Sequence, residues 1–158
     1  MRNPLVLRII RFVSLVFTGV FAGFLLAVLV LELTMRDATG PVYTQVRQIE
    51  LIGLDVLASA TLLPALVATA LLIAAKFRER GPALWLPLIA FALLAGVLIL
   101  TIVVNLPINA DQRDWIVAMP PSDWASVRDR WQISHAVRTV AAVLAFGTLS
   151  WASISTRR

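Results

Sequence analysis

Residues 105–138 read NLPINADQRDWIVAMPPSDWASVRDRWQISHAVR. They follow one long apolar run, 83–104, and lead into another, 132–152. The stretch holds three of the five Trp, the only His, and Asn105 and Asn109 directly after the first run. At 1.5 Å per helical residue, each run of about 20 residues crosses roughly 30 Å of hydrocarbon. A polar, Trp-rich segment between two such runs is a boundary segment, and its polar groups are costly there unless paired or used. Working outward, residues 12–33 and 54–75 are two further runs of the same length. The reading is all-α: a four-helix transmembrane bundle forming a single domain over 1–158, with outer loops 34–53 and 105–131.

Composition agrees. The chain has 158 residues, 59% hydrophobic and 15% charged, with a mean hydropathy of +0.87. Soluble domains sit near 45–50% apolar and about 25% charged. A multi-pass protein of the cell membrane is expected. With no Cys there is no disulfide, thiolate metal site or Cys nucleophile. The first run follows Arg2, Arg8 and Arg11 as a signal peptide would. It is too long for a signal h-region and has no A-x-A cleavage pattern, so it reads as a retained helix.

Charge sets the orientation. Arg2, Arg8, Arg11, Lys76, Arg78, Arg80, Arg157 and Arg158 fall on one side, with Glu79 as the only acid. The other side carries Arg36, Arg47, Arg113, Arg128, Arg130 and Arg138 against eight acids. Both termini are therefore expected in the cytoplasm, and the polar site near the opposite ends of the helices. The net charge of +5 is read as topology and contact with anionic lipid, not as a nucleic-acid surface.

Several features read as scaffold. Gly19, Gly23 and Ala27 make a small-residue stripe for close helix approach, within the chain or between copies in a homo-oligomer. Pro64 should kink its helix and free the Ala60 carbonyl, with Ser59 and Thr61 available to satisfy the break. Pro82 suits a first helical turn. Trp85 and Trp151 sit at the cytoplasmic boundary. In the first outer loop, Val42, Val46, Ile49 and Gly53 at helical spacing predict a short interfacial helix.

The outer ends of the spans carry polar groups at similar depth: Glu32, Asp55, Asn105, and on the last helix His135 and Arg138. Pro120-Pro121-Ser122-Asp123 reads as a stop and an N-cap, so the last helix should begin near Ser122. Trp124, Arg128, Trp131, His135 and Arg138 then fall at steps of 4, 3, 4 and 3, on one face. Indoles can stack a flat aromatic guest, guanidiniums can neutralise an anion, and imidazole can move a proton. The plainer alternatives are indoles as interface anchors, Arg128 paired with Asp111, Asp114 or Asp123, and His135 as a packing residue. Arg138 is expected to pair with Glu32 or Asp55. Pro107 is expected to turn the chain out of helix, with Asn105 and Asn109 capping freed groups or binding a ligand.

N-x-P-x-N after the third run, then Trp115, then P-x-D-W at 121–124, then R-x-R-W-x-x-x-H-x-x-R at 128–138, resembles the anthrone oxygenase-like family of small four-helix membrane proteins. The likeness covers nearly the whole chain in topology and is specific over residues 105–138. The matching positions are Asn105, Pro107, Asn109, Trp124, Arg128, Trp131, His135 and Arg138. The resemblance implies a four-helix bundle and oxidation of anthrones to anthraquinones without a conventional cofactor.

The residues and the resemblance together give three functional expectations. The first is an oxygenase acting on a small lipid-soluble aromatic of anthrone, phenol or quinol type. There His135 or Glu32 takes a proton, Arg138 and Arg128 hold the anion, and Asn105, Asn109, Asp55, Trp124 and Trp131 bind the substrate. No cofactor is expected. The second is a non-enzymatic accessory subunit whose outer loops bind a partner. The third is a metal or haem redox protein using His135 with Glu32 or Asp55.

Overall fold

A computed structural model describes residues 4–78 and 81–155. Arg2, Glu79, Arg80, Arg157 and Arg158 of the orientation argument lie outside the described residues. The chain forms α1 (Pro4–Thr34), α2 (Gly40–Glu50), α3 (Leu54–Lys76) and α4 (Pro82–Leu100). A π-helical turn, Thr101–Asn105, leads from α4 into α5 (Leu106–Arg113), and α6 (Trp124–Ser155) follows. Among the described residues there is no strand. Four helical stretches are long and apolar enough to cross a membrane: Pro4–Thr34, Leu54–Lys76, Ala83–Arg113 and Trp124–Ser155. The fold is a four-span helical bundle of a multi-pass membrane protein.

The helices close on small residues. Ala22, Ala65, Ala68, Ala90, Ala142 and Ala145 are buried and interleave with Phe21, Leu25, Leu62, Leu94 and Leu149. Without a hydrophobic drive between helices in lipid, such close approach gives the dispersion contact that holds a bundle. Large apolar side chains such as Ile9, Phe12, Val67 and Val140 point outward, as lipid contact requires. A polar tie crosses this apolar half: Ser14 Oγ lies 3.0 Å from Thr69 Oγ1. The Thr69 hydroxyl proton is committed to the Ala65 carbonyl, so Ser14 donates. Of the small-residue stripe, Gly19 meets the ring of Phe146 on α6, whereas a Cβ on Gly23 would meet nothing within 4 Å.

Arg11, Lys76, Ala83 and Ala152 meet at one end of the bundle. The two terminal helices therefore reach the same face.

Two local expectations need correction, and a third is met. Pro107 does not turn the chain out of helix. The preceding turn widens, Leu106 N–H reaches back five residues to the Thr101 carbonyl, and the helix runs on to Arg113. The extra residue absorbs the proline at the first turn of α5, where its missing N–H costs least. At Pro64, Ser59 Oγ donates to the Asp55 carbonyl and Thr61 Oγ1 to those of Leu57 and Ala58, so neither hydroxyl serves Ala60. The expected interfacial helix forms as α2. Its polar face, Tyr43, Thr44, Arg47 and Glu50, is buried, while Val42 and Ile49 face outward.

Gly40 is where α2 touches the start of α6. A Cβ there would lie 2.8 Å from Pro120 Cγ and 2.9 Å from Trp124 Nε1, both on rigid rings. Gly40→Ala should therefore destabilise by overpacking, by about 1–3 kcal/mol. Thermal unfolding in micelles followed by circular dichroism checks this, and an unchanged midpoint would contradict the contact.

Candidate functional site

Arg47 organises the outer end of the bundle. It is 2% exposed, and each of its guanidinium nitrogens is used. Nη1 donates to Glu32 Oε1 at 3.0 Å and to Glu50 Oε2 at 2.6 Å. Nε donates to Gln112 Oε1 and Nη2 to Asn109 Oδ1. Its planar fork fits this many acceptors, which a lysine would not. The guanidinium also lies over the Trp131 ring, 4.1 Å from its centroid. One short helix thus ties α1, α5 and α6 together.

The second layer holds that centre in place. Gln132 Nε2 donates to the backbone carbonyl of Glu32 and to its Oε2. Asn109 Oδ1 also accepts from Trp131 Nε1 at 2.7 Å, and its amide donates to Asp55 Oδ1. Arg113 takes Asp55 Oδ2. Gln112 donates to Tyr43 Oη. Burial, and then the Glu32 charge, push the Tyr43 phenol well above its usual range, so it stays a neutral partner. Asn105 accepts from Ser134 Oγ at 2.7 Å.

One turn deeper, His135 stacks on Trp131 with centroids 4.8 Å apart and planes 7° apart. Its Nε2 lies 2.9 Å from the Leu25 carbonyl, and its Nδ1 lies 2.9 Å from Arg138 Nη2. A carbonyl only accepts and a guanidinium only donates. The ring is therefore the neutral Nε2–H tautomer, with its free lone pair held by Arg138. Arg138 Nη1 donates to Thr101 Oγ1 at the widened turn.

These groups surround a cavity of about 230 Å³ with largely apolar walls that include Phe21, Phe24, Leu25, Leu62 and Leu98. Of the candidate site residues, His135, Arg138, Trp131, Asn105, Asn109 and Asp55 line it; Arg47 and Glu50 join them. Three expected residues stand elsewhere. Glu32 lies behind Arg47 and does not line the cavity. Trp124 packs on Tyr43 at 5.7 Å, and Arg128 sits over Trp124. The helix begins at Trp124, as the spacing required, but its first turn stands above the cavity. Arg128 bonds Asp129 and the Arg36 carbonyl, not Asp111, Asp114 or Asp123. Arg138 bonds neither Glu32 nor Asp55, because both carboxylates are already taken by Arg47, Gln132, Asn109 and Arg113.

The family model described as anthrone oxygenase matches residues 55–148, more than half of the chain. The chain belongs to the anthrone oxygenase family. No match was found among curated proteins or among solved structures. Of the cavity's polar residues, the anthrone oxygenase match contains Asp55, Ser59, Thr101, Asn105, Asn109, Trp131, His135 and Arg138. Arg47 and Glu50 precede it.

Arg47 and Glu50 are the residues sequence reasoning passed over, with Gln112, which accepts from Arg47, and Gln132, which donates to Glu32. A signal was present: Tyr43, Arg47 and Glu50 fall at steps of 4 and 3, one helix face.

Proposed function

We propose that this protein oxidises a small, flat, lipid-soluble aromatic of anthrone, phenol or quinol type with dioxygen, in the cavity beneath Trp131. The observation that carries this is the cavity itself: an apolar chamber for one small ligand, with a stacked Trp131–His135 pair and the Arg138 guanidinium in its wall. Leu63 and Ile102 line it and are half-exposed on the outside of the bundle, which suits a ligand arriving from the bilayer. Membership of the anthrone oxygenase family supports the reaction class.

For an anthrone-like CH₂ flanked by aromatic rings, loss of one proton gives an enolate whose oxygen Arg138 can hold. The electron-rich carbon then reduces dioxygen and forms a C–O bond. Proton return gives a hydroperoxide. Loss of water breaks the O–O bond and removes the remaining hydrogen, so CH₂ and O₂ become C=O and H₂O. His135 serves here by fixing Arg138, since acting as the base would require its Nδ1 to release that guanidinium.

Oxygen uptake by the purified protein in lipid nanodiscs, with anthrone, phenol and quinol substrates, tests the reading. Uptake should match ketone or quinone formed. Filling the cavity with Ala58→Phe should lower kcat/KM about tenfold or more with little change in melting temperature. Binding without uptake across the panel would move the reading to an accessory subunit. The exposed Ile116 and Met119 on the outer loop are what such a partner would contact. The donor set does not fit a metal: both His135 nitrogens and both oxygens of Glu32 and of Asp55 are committed, and among the described residues no three His, Cys, Asp or Glu converge.

A further inference from the structure

The cavity has three carboxylates in or near its wall, and they are not equivalent. Glu32 has one oxygen on Arg47 and the other on Gln132. Asp55 has one on Asn109 and the other on Arg113. Glu50 gives Oε2 to Arg47, while its Oε1 is buried and has no hydrogen-bond partner among the described residues. Glu50 is 8% exposed and lines the cavity. Arg138 also lines the cavity, and its Nε is a buried donor with no acceptor among the described residues. Buried polar atoms left unpaired are rare enough to need a reason.

Formal charge points the same way. Arg47 Nη1 serves two carboxylates, Glu32 and Glu50, so that trio carries one negative charge too many. Among the described residues Arg138 bonds neutral partners, Thr101 and His135, and has no bonded carboxylate to balance its positive charge. In a low-dielectric site both imbalances are costly. Moving one proton from a neutral ligand to Glu50 removes both at once. Glu50 becomes a neutral acid, Arg47 is left paired one-to-one with Glu32, and the ligand anion pairs with Arg138.

We propose that Glu50 is the proton acceptor of this site, taking a proton on its carboxylate from a neutral hydroxyaryl or enolisable ligand whose oxygen then pairs with the Arg138 guanidinium. The step is a proton transfer alone: the ligand O–H or C–H bond breaks, a carboxyl O–H forms, and its electron pair stays on the ligand. The inference rests on the cavity being the ligand site, but not on the oxidation that follows. It places the acceptor on α2, ahead of the stretch matched by the family.

A hydroxyanthraquinone whose visible band moves on ionisation is a suitable probe, because it needs no turnover. Bound at pH 7 to the wild-type protein in nanodiscs, it should show the phenolate band. Glu50→Gln, which keeps the carbonyl that accepts from Arg47, should bind it within about threefold in Kd but show the phenol band. Glu50→Asp should restore part of the phenolate band. If wild type and Glu50→Gln show the same band, Glu50 is not the acceptor, whatever the oxidation assay gives. A Glu50-dependent phenolate band without oxygen uptake would uphold the acceptor and overturn the oxygenase reading. A probe that fails to bind wild-type protein would overturn both the cavity as ligand site and the acceptor. If Glu50→Gln lowers the melting temperature without changing the band, its role is structural and the proposal fails.

Discussion

Arg47→Met is expected to cost about 3–5 kcal/mol of stability, because it leaves Glu32 and Glu50 buried without their cation. Glu32 is fully buried, so water cannot screen the loss. Asn109 and Gln112 lose a donor each in the same change. Denaturant titration in mixed micelles, read by tryptophan fluorescence, measures it. The carboxylates should be the cause. Adding Glu32→Gln and Glu50→Gln to Arg47→Met should therefore recover much of the loss, a coupling that a double-mutant comparison isolates. An Arg47→Met protein as stable as wild type would mean that the buried network does not hold the outer end together.

The second large effect falls on turnover. Arg138→Gln should lower kcat by about 10²–10³, the usual cost of removing a donor aimed at developing negative charge. Binding of a neutral product-like anthraquinone should change by less than threefold, since a neutral ligand gains little from the cation. Stability should fall little, because the bonds of Arg138 among the described residues are to Thr101 and His135, and Gln can still donate to one of them. A variant with full turnover would remove Arg138 from the chemistry. A variant that fails to fold would instead mark it as scaffold.

The difference between what the sequence told and what it hid has a physical cause. The four spans were legible because twenty apolar residues in a row have one stable use. The Trp131–His135–Arg138 face was legible because helical spacing is periodic and the last helix is unbroken from Trp124. Its upper end misled: Trp124 and Arg128 share the face, but the helix rises past the cavity before they are reached. The partner of Arg138 was misjudged for a related reason. Counting charges at one depth says that a cation and a carboxylate are available, not that the carboxylate is free. Glu32 had already been taken by Arg47, from a loop helix whose polar side turned inward. In lipid surroundings a short amphipathic helix can bury either face, and the choice depends on what the neighbouring spans offer it. Pro107 was misread because a proline stop and a proline absorbed by a widened turn look alike until the register of Thr101–Asn105 is known.

Mass spectrometry of product formed under ¹⁸O₂ by the purified protein in nanodiscs tests the proposed chemistry most directly. With an anthrone-type substrate, the new carbonyl should carry one ¹⁸O atom when analysed before exchange with water. Water should be the only other oxygen product, with uptake and product equal. Label arriving from water in place of dioxygen, or no product above a protein-free control, would contradict oxidation by dioxygen in this cavity.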